Sequence, residues 1–158
     1  GTTWVTKLWP ESYWKELAGL VTEQGYRVVL PWGNDEEKSR AERIASSCDN
    51  VIVLPRMGLN ALNAWLAHAE CVVGVDTGLS HVVASLGVPA VAIYGATDAT
   101  LTGVSGPQVD VMSSERECAP CLSKRCIKPD DGDVQPPCYR DIPPSRVLEN
   151  LIARSGAL

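Results

Sequence analysis

Asp76, Thr77, Ser80 and His81 fall within six positions, directly after the uncharged, strand-like run 71–75. In an open parallel sheet, ligands bind beyond the carboxyl ends of the strands. A helix that starts there also points unpaired backbone N–H groups and its positive dipole end into the crevice. A carboxylate, two hydroxyls and an imidazole at that place suit a phosphorylated, hydroxyl-rich ligand. Gly78 removes a side chain where a phosphate would approach. His81 lies one turn on, near the helix face that bears Thr77. Asp76 alone has an equally ordinary reading, as a cap on the following helix.

Other residues join this group by position. Lys7 precedes Trp9-Pro10 and reads either as a solvated lysine or as a cation held over a diphosphate. Glu36 and Glu37 follow the second segment of strand character. They are placed to accept from ribose hydroxyls, or to satisfy the dipole of the helix they begin. Met57, after Pro55-Arg56, sits where a loop would flank a nucleobase, although a single Met is usually packing. His68 has no polar company and reads as a structural or surface histidine.

The elements that must position these residues follow from periodicity. Trp14, Leu17, Ala18 and Val21 recur at helical spacing, which predicts an amphipathic helix over 10–24 with Pro10 in its first turn and Gly25 ending it. Strands are predicted at 27–30, 51–54, 71–75, 88–94 and 109–112, and helices at 35–46, 59–67 and 77–86. Asn34 or Asp35 caps the helix over 35–46. Strands alternating with helices imply a parallel sheet with right-handed crossovers. Over 113–141 the pattern gives way to a Cys-, Pro- and Asp-rich loop, and Pro143-Pro144 opens a closing helix over 143–155. The expectation is a single Rossmann-like α/β domain over 1–158, a parallel sheet with helices on both faces and no internal repeat.

Composition narrows the class. The chain has 158 residues and a net charge of -5, and its 14 basic residues are scattered. Nucleic-acid binding needs a concentrated basic face, so nucleic acid is not expected as a partner. No apolar run reaches the ~18–20 residues of a membrane span, and the first residues lack the basic start and apolar stretch of a signal peptide. The segment 1–7 reads as a strand end and loop already inside a site, so the chain is expected to be one half of something longer. The G-x-G-x-x-G fingerprint, the Walker A loop and the G-x-S-x-G elbow are all missing, which argues against a dehydrogenase, a P-loop NTPase and a serine hydrolase.

Cys118-x2-Cys121-x4-Cys126-x11-Cys138 is the second concentrated feature. Four thiolates make a closed shell for structural zinc. Two disulfides are another reading, and reduced thiols packing a loop a third. The spacing matches neither ferredoxin pattern. Cys48 and Cys71 read as ordinary buried thiols.

Several runs together resemble the bacterial ADP-heptose:lipopolysaccharide heptosyltransferases, nearest to the heptosyltransferase I branch. They are Thr2-Thr3, Lys7-Leu8-Trp9-Pro10-Glu11, Leu30-Pro31-Trp32-Gly33, Glu37, Val53-Leu54-Pro55-Arg56-Met57, Val75-Asp76-Thr77-Gly78-Leu79-Ser80-His81 and Tyr94-Gly95-Ala96-Thr97-Asp98. The resemblance runs from Thr2 to about Gly103; Cys-rich loops similar to this one occur in heptosyltransferase II-like relatives without a metal being required, and are missing from the nearest heptosyltransferase I sequences.

The resemblance implies the carboxyl-terminal, donor-binding half of a GT-B glycosyltransferase, which needs no cofactor and takes ADP-heptose as donor. Thr2 opens the matching stretch and is counted with the donor site. Thr3, Lys7 and the backbone at Thr77, Gly78 and Leu79 would hold the diphosphate. Glu37 would meet the ribose, Met57 would flank adenine through its backbone, and Asp76 with Lys7 would contact heptose hydroxyls, the pair being the catalytic candidates. His81 would lie beside the sugar or phosphate. The reaction inverts the anomeric centre with a base on the acceptor side, so a lipid-linked lipopolysaccharide core acceptor would dock on an amino-terminal domain. The whole enzyme would be peripheral to the cytoplasmic face of the bacterial inner membrane. A GT-B relative using another nucleotide sugar, and a non-catalytic nucleotide-binding or metal-stapled module, are the alternatives.

Overall fold

The structure is a computed structural model that describes residues 2–128, 130 and 132–156. Helix α1 (Glu11–Glu23) buries Leu17 and Ala18, the inner positions of the expected stripe. Pro10 stands one place earlier than expected, at its cap, and Gly25 closes the turn with a φ of +86° that suits a residue lacking Cβ. Strand β1 (Val28–Leu30) is followed by α2 (Asp35–Ala45). The cap of α2 is Asn34, not Asp35: its side chain accepts from the Glu37 N–H at 2.9 Å. Three acidic residues, Asp35, Glu36 and Glu37, occupy the first turn, where they oppose the positive end of the helix dipole.

Strand β2 (Val51–Val53), helix α3 (Leu59–Ala67), strand β3 (Val72–Val75) and helix α4 (Gly78–Ser85) come next. Strand β4 (Ala90–Tyr94), the short α5 (Ala99–Thr102), strand β5 (Val109–Ser113) and α6 (Pro144–Ser155) complete the order. Two short 3₁₀ turns, Val5–Lys7 and Pro137–Asp141, lie where sequence periodicity gave no element. Both are too short to leave a pattern.

All strand pairs are parallel, as expected of an α/β chain with crossover helices. The sheet is divided, however: β1 pairs with β2, and β3-β4-β5 form a separate sheet. The single sheet predicted from alternation is therefore in two parts, with a cavity of about 640 Å³ between them. Side chains of both parts line this cavity, Val28, Val29 and Leu30 on one side and Val72, Val73 and Val75 on the other.

Strand β4 is buried along its whole length. Its side chains alternate between two cores, as a strand covered on both faces requires. Val91 and Ile93 join Trp9, Leu17, Val147 and Leu151 beneath α1 and α6, while Ala90 packs with Leu66 and Val83 of α3 and α4. Trp9, 2% exposed, anchors the first core: its Nε1–H donates to the Ile142 carbonyl at 3.1 Å, and its ring meets Tyr13 and Trp14 edge to face. This core fixes the base of the segment that carries Lys7. Among the described residues, no helix is long and apolar enough to cross a membrane.

Candidate functional site

The first residue past β3 is Asp76, which is 7% exposed. Its Oδ2 lies 2.6 Å from Lys7 Nζ, joining two residues far apart in the chain. That oxygen is buried and has no partner in hydrogen-bonding geometry, so the contact is an ion pair and not an aligned hydrogen bond. The carboxylate thus keeps its capacity to accept hydrogen bonds at the carboxyl end of β3. Lys7 retains partial exposure and stands 4.9 Å from the centroid of the Trp4 ring, a cation–π contact that steadies the ammonium. Lys124 lies 5.7 Å from the same ring, so two cations gather there.

Asp76 does not cap α4. Thr77 holds the cap position in extended conformation, with no side-chain cap bond. The first N–H groups of α4 therefore face outward without a side chain of the cap residue covering them, the arrangement that suits an anion. Above Gly78 nothing lies within 4 Å of where a Cβ would stand, so the approach is open. Below it, a Cβ on Gly74 would come 2.6 Å from Ser80 Oγ, which donates to the Val75 carbonyl at 2.7 Å. Gly74 thus lets Ser80 clamp the end of β3 against the start of α4.

The remaining expected residues are placed unequally. Thr2, Glu37, Thr77 and Leu79 line the cavity between the sheets, while Thr3, Met57 and His81 are not among its lining residues. Thr3 and His81 are exposed and Met57 is half-buried. Glu37 does more than oppose the helix dipole: its Oε2 accepts from the Gly33 N–H at 2.8 Å, which fixes the loop after β1. Burial would raise the Glu37 carboxyl, but the Gly33 N–H bond leads the influences that outweigh it and hold the group below its ordinary value. Glu36 is on the surface and pairs with Arg40 at 3.6 Å. Trp32 donates from Nε1 to the Leu54 carbonyl at 2.6 Å, tying the loop after β1 to the end of β2. His68 is an exposed C-cap residue whose Nδ1 lies 2.8 Å from the Ala64 carbonyl, the structural role expected of it.

Cys118, Cys121, Cys126 and Cys138 all line one small cavity of about 20 Å³, together with Thr6, Gly95 and Ala96. All four are free thiols. Burial, and then the electrostatic influence of Cys126, Cys121 and Cys118, pushes the Cys138 thiol up to about 11. Among the described residues, no group of three or more His, Cys, Asp or Glu is spaced to hold a metal ion. The loop is held by other means, with Asp130 receiving Arg116 and Arg140 and Asp141 accepting from Ser114. Cys48 and Cys71, expected to be buried, are partly exposed.

Sequence reasoning passed over four residues that the structure brings to this region. Trp4 holds Lys7 through its ring, and Thr6 and Tyr139 are buried behind it. Thr97 is buried at the end of β4 with a hydroxyl that lacks a hydrogen-bond partner among the described residues. Thr97 lies within the Tyr94-to-Asp98 run that carried the resemblance, which was the available signal. Thr6 and Tyr139 gave none, because their contacts span most of the chain, whereas Trp4 lies only three residues before Lys7.

Parallel strands joined by crossover helices, with a Lys–Asp pair beside the start of α4, define a Rossmann-like α/β domain. The pattern of glycosyltransferase family 9 (heptosyltransferase) matches residues 1–130, and the chain belongs to that family. It is 43% identical to lipopolysaccharide heptosyltransferase 1 of Pseudomonas aeruginosa over 97% of its own length and 46% of that protein's. The solved structure of the Escherichia coli heptosyltransferase WaaC with ADP superposes with a TM-score of 0.70 at 45% identity, covering 72% of this chain and 36% of that one. E. coli ADP-heptose lps heptosyltransferase II superposes with a TM-score of 0.74 at 28% identity, over 95% of this chain and 42% of that one. The chain spans less than half the length of these relatives.

Proposed function

We propose that this chain binds ADP-heptose as the donor half of an inverting glycosyltransferase that adds heptose to the lipopolysaccharide inner core. The observation that carries the reading is the Lys7–Asp76 pair, 2.6 Å apart, beside the uncapped start of α4. Transfer breaks the bond from the anomeric carbon to ADP and forms one to an acceptor hydroxyl oxygen. Positive charge builds on the sugar and negative charge on the departing diphosphate. Lys7 and the N–H groups of Gly78 and Leu79 stabilise that negative charge, in an environment where fixed dipoles act more strongly than in water. Asp76 orients Lys7 and accepts from the sugar hydroxyls. Thr2, Thr3 and Thr77 add polar contacts to the diphosphate, and His81 borders it. The loops bearing Glu37 and Met57 receive the ribose and adenine.

The acceptor's proton leaves to a base on an amino-terminal domain, which also receives the lipid-linked core. The complete enzyme works at the inner face of the bacterial inner membrane as a peripheral protein. ADP in complex with WaaC supports the choice of nucleotide. Calorimetric titration of this chain with ADP, UDP and GDP tests it. Selective ADP binding, weakened about ten-fold or more by Lys7→Ala on the scale of one lost charge-assisted contact, is expected. Selectivity for UDP or GDP would favour another nucleotide sugar. Full-occupancy zinc on the four thiols without any nucleotide affinity would favour the stapled module instead.

A further inference from the structure

The Cys- and Pro-rich loop does not contribute a side chain to the Lys7–Asp76 pair, yet it grips the turn from which Lys7 projects. Thr6, the residue before Lys7, is 2% exposed. Its hydroxyl donates to the Ser123 carbonyl, and its carbonyl accepts from the Tyr139 hydroxyl at 2.9 Å. Tyr139 is itself 0% exposed, within the 3₁₀ turn Pro137–Asp141. Gly95, at the end of β4, makes room for it: a Cβ there would meet the ring at 2.7 Å. The Leu122 N–H donates to the Ala96 carbonyl at 2.8 Å, so the loop is also pinned to the strand end beside Asp76. The turn carrying Lys7 is therefore held from behind at the hydroxyl and the carbonyl of Thr6.

We propose that Tyr139, with Thr6, is a positioning residue that fixes the Lys7 ammonium over the donor diphosphate by anchoring the 3₁₀ turn Val5–Lys7 through the Thr6 carbonyl. This rests on the donor-binding reading above. The Tyr139 ring contributes packing and its hydroxyl contributes the anchor, and the two roles separate in Tyr139→Phe, which keeps the ring. A second property follows from the same geometry. Once Lys7 has no ammonium to place, the anchor has nothing left to contribute to binding.

The experiment is a double-mutant cycle on ADP affinity by calorimetry, using the chain as it is, with Tyr139→Phe, Lys7→Ala and the pair, and with thermal unfolding measured alongside. Tyr139→Phe is expected to weaken ADP binding about five-fold, the scale of one lost neutral hydrogen bond. In the Lys7→Ala background the same change should leave affinity unaltered while lowering the melting temperature as before. Thr6→Val, which removes the Ser123 bond, is the second variant and should couple to Lys7 in the same way. Equal losses of affinity in both backgrounds would overturn the proposal and leave Tyr139 a packing residue. An unaltered affinity in Tyr139→Phe alone would overturn it too. Absence of ADP binding in the parent chain would instead defeat the donor-binding reading, so the two failures are distinguishable.

Discussion

At the scale of single residues, the site depends on the close approach of Gly74 to Ser80 and on the Lys7–Asp76 charge pair. Gly74→Ala would place a Cβ 2.6 Å from Ser80 Oγ, against a hydroxyl already committed to the Val75 carbonyl. Overpacking of this kind costs about 1–3 kcal/mol. Ser80→Ala in that background should recover part of the loss, because the clashing atom is gone; urea unfolding of both variants checks it, and a double variant less stable than Gly74→Ala would contradict it. Asp76→Asn keeps the shape of the side chain and leaves the Lys7 ammonium without its counter-charge. We expect a loss of about 1–3 kcal/mol in stability, the range for a buried polar group deprived of its partner, together with weakened ADP binding. Unchanged values of both would show that the pair is incidental. Asp76 also illustrates how far residue types can be read without a structure. The acidic residue after an apolar run was legible as functional or as a cap, and the structure decides against the cap by placing Thr77 there and Asp76 2.6 Å from Lys7.

At the scale of elements, α1 and α2 are clamped by Glu11 and Arg43, whose Nε and Nη2 both reach the carboxylate, at 3.0 and 2.7 Å. Lys15 adds a contact at 3.0 Å from within α1. Hydrogen bonding from Arg43 is the main influence and holds the Glu11 carboxyl at about 2, against an ordinary 4.5. A depressed folded-state value means that the contribution is complete above pH 4.5 and is lost as pH falls toward 2. Since both side chains touch solvent, Arg43→Ala should lower stability only slightly at neutral pH. The difference from the parent should shrink through that acid interval, as followed by denaturant unfolding at successive pH values. A gap that stays constant with pH would rule out the ion pair as its source.

Helix α3 matched the expected bounds, and the core faces of α1 and α6 followed the apolar stripes, because burial imposes the helical period on sequence. Strand β3 and helix α4 were legible within a residue or two. The turn Pro137–Asp141 was not, since five residues among prolines leave no period, and the Tyr139–Thr6 bond links positions 133 apart through a backbone carbonyl that no residue type reveals. The division between β1-β2 and β3-β4-β5 was equally hidden, because alternation of strands and helices predicts parallel pairing without saying which edges meet.

At the scale of the molecule, the proposed function gives this chain the leaving-group machinery and leaves the acceptor and its base to the other half of a GT-B enzyme. This chain should bind donor nucleotide and give little or no heptose transfer until the other half is supplied. A single-turnover assay of the chain alone and of the two-domain protein checks this, and full transfer by the chain alone would contradict it. More locally, we propose that the donor diphosphate rests on the start of α4 beside Lys7. An amide NMR titration of the chain with ADP tests it most directly. The largest shifts are expected on the N–H groups of Gly78 and Leu79 and on the Val5–Lys7 turn, and Lys7→Ala should diminish them. Shifts concentrated elsewhere, with those amides unmoved at saturating ADP, would contradict it.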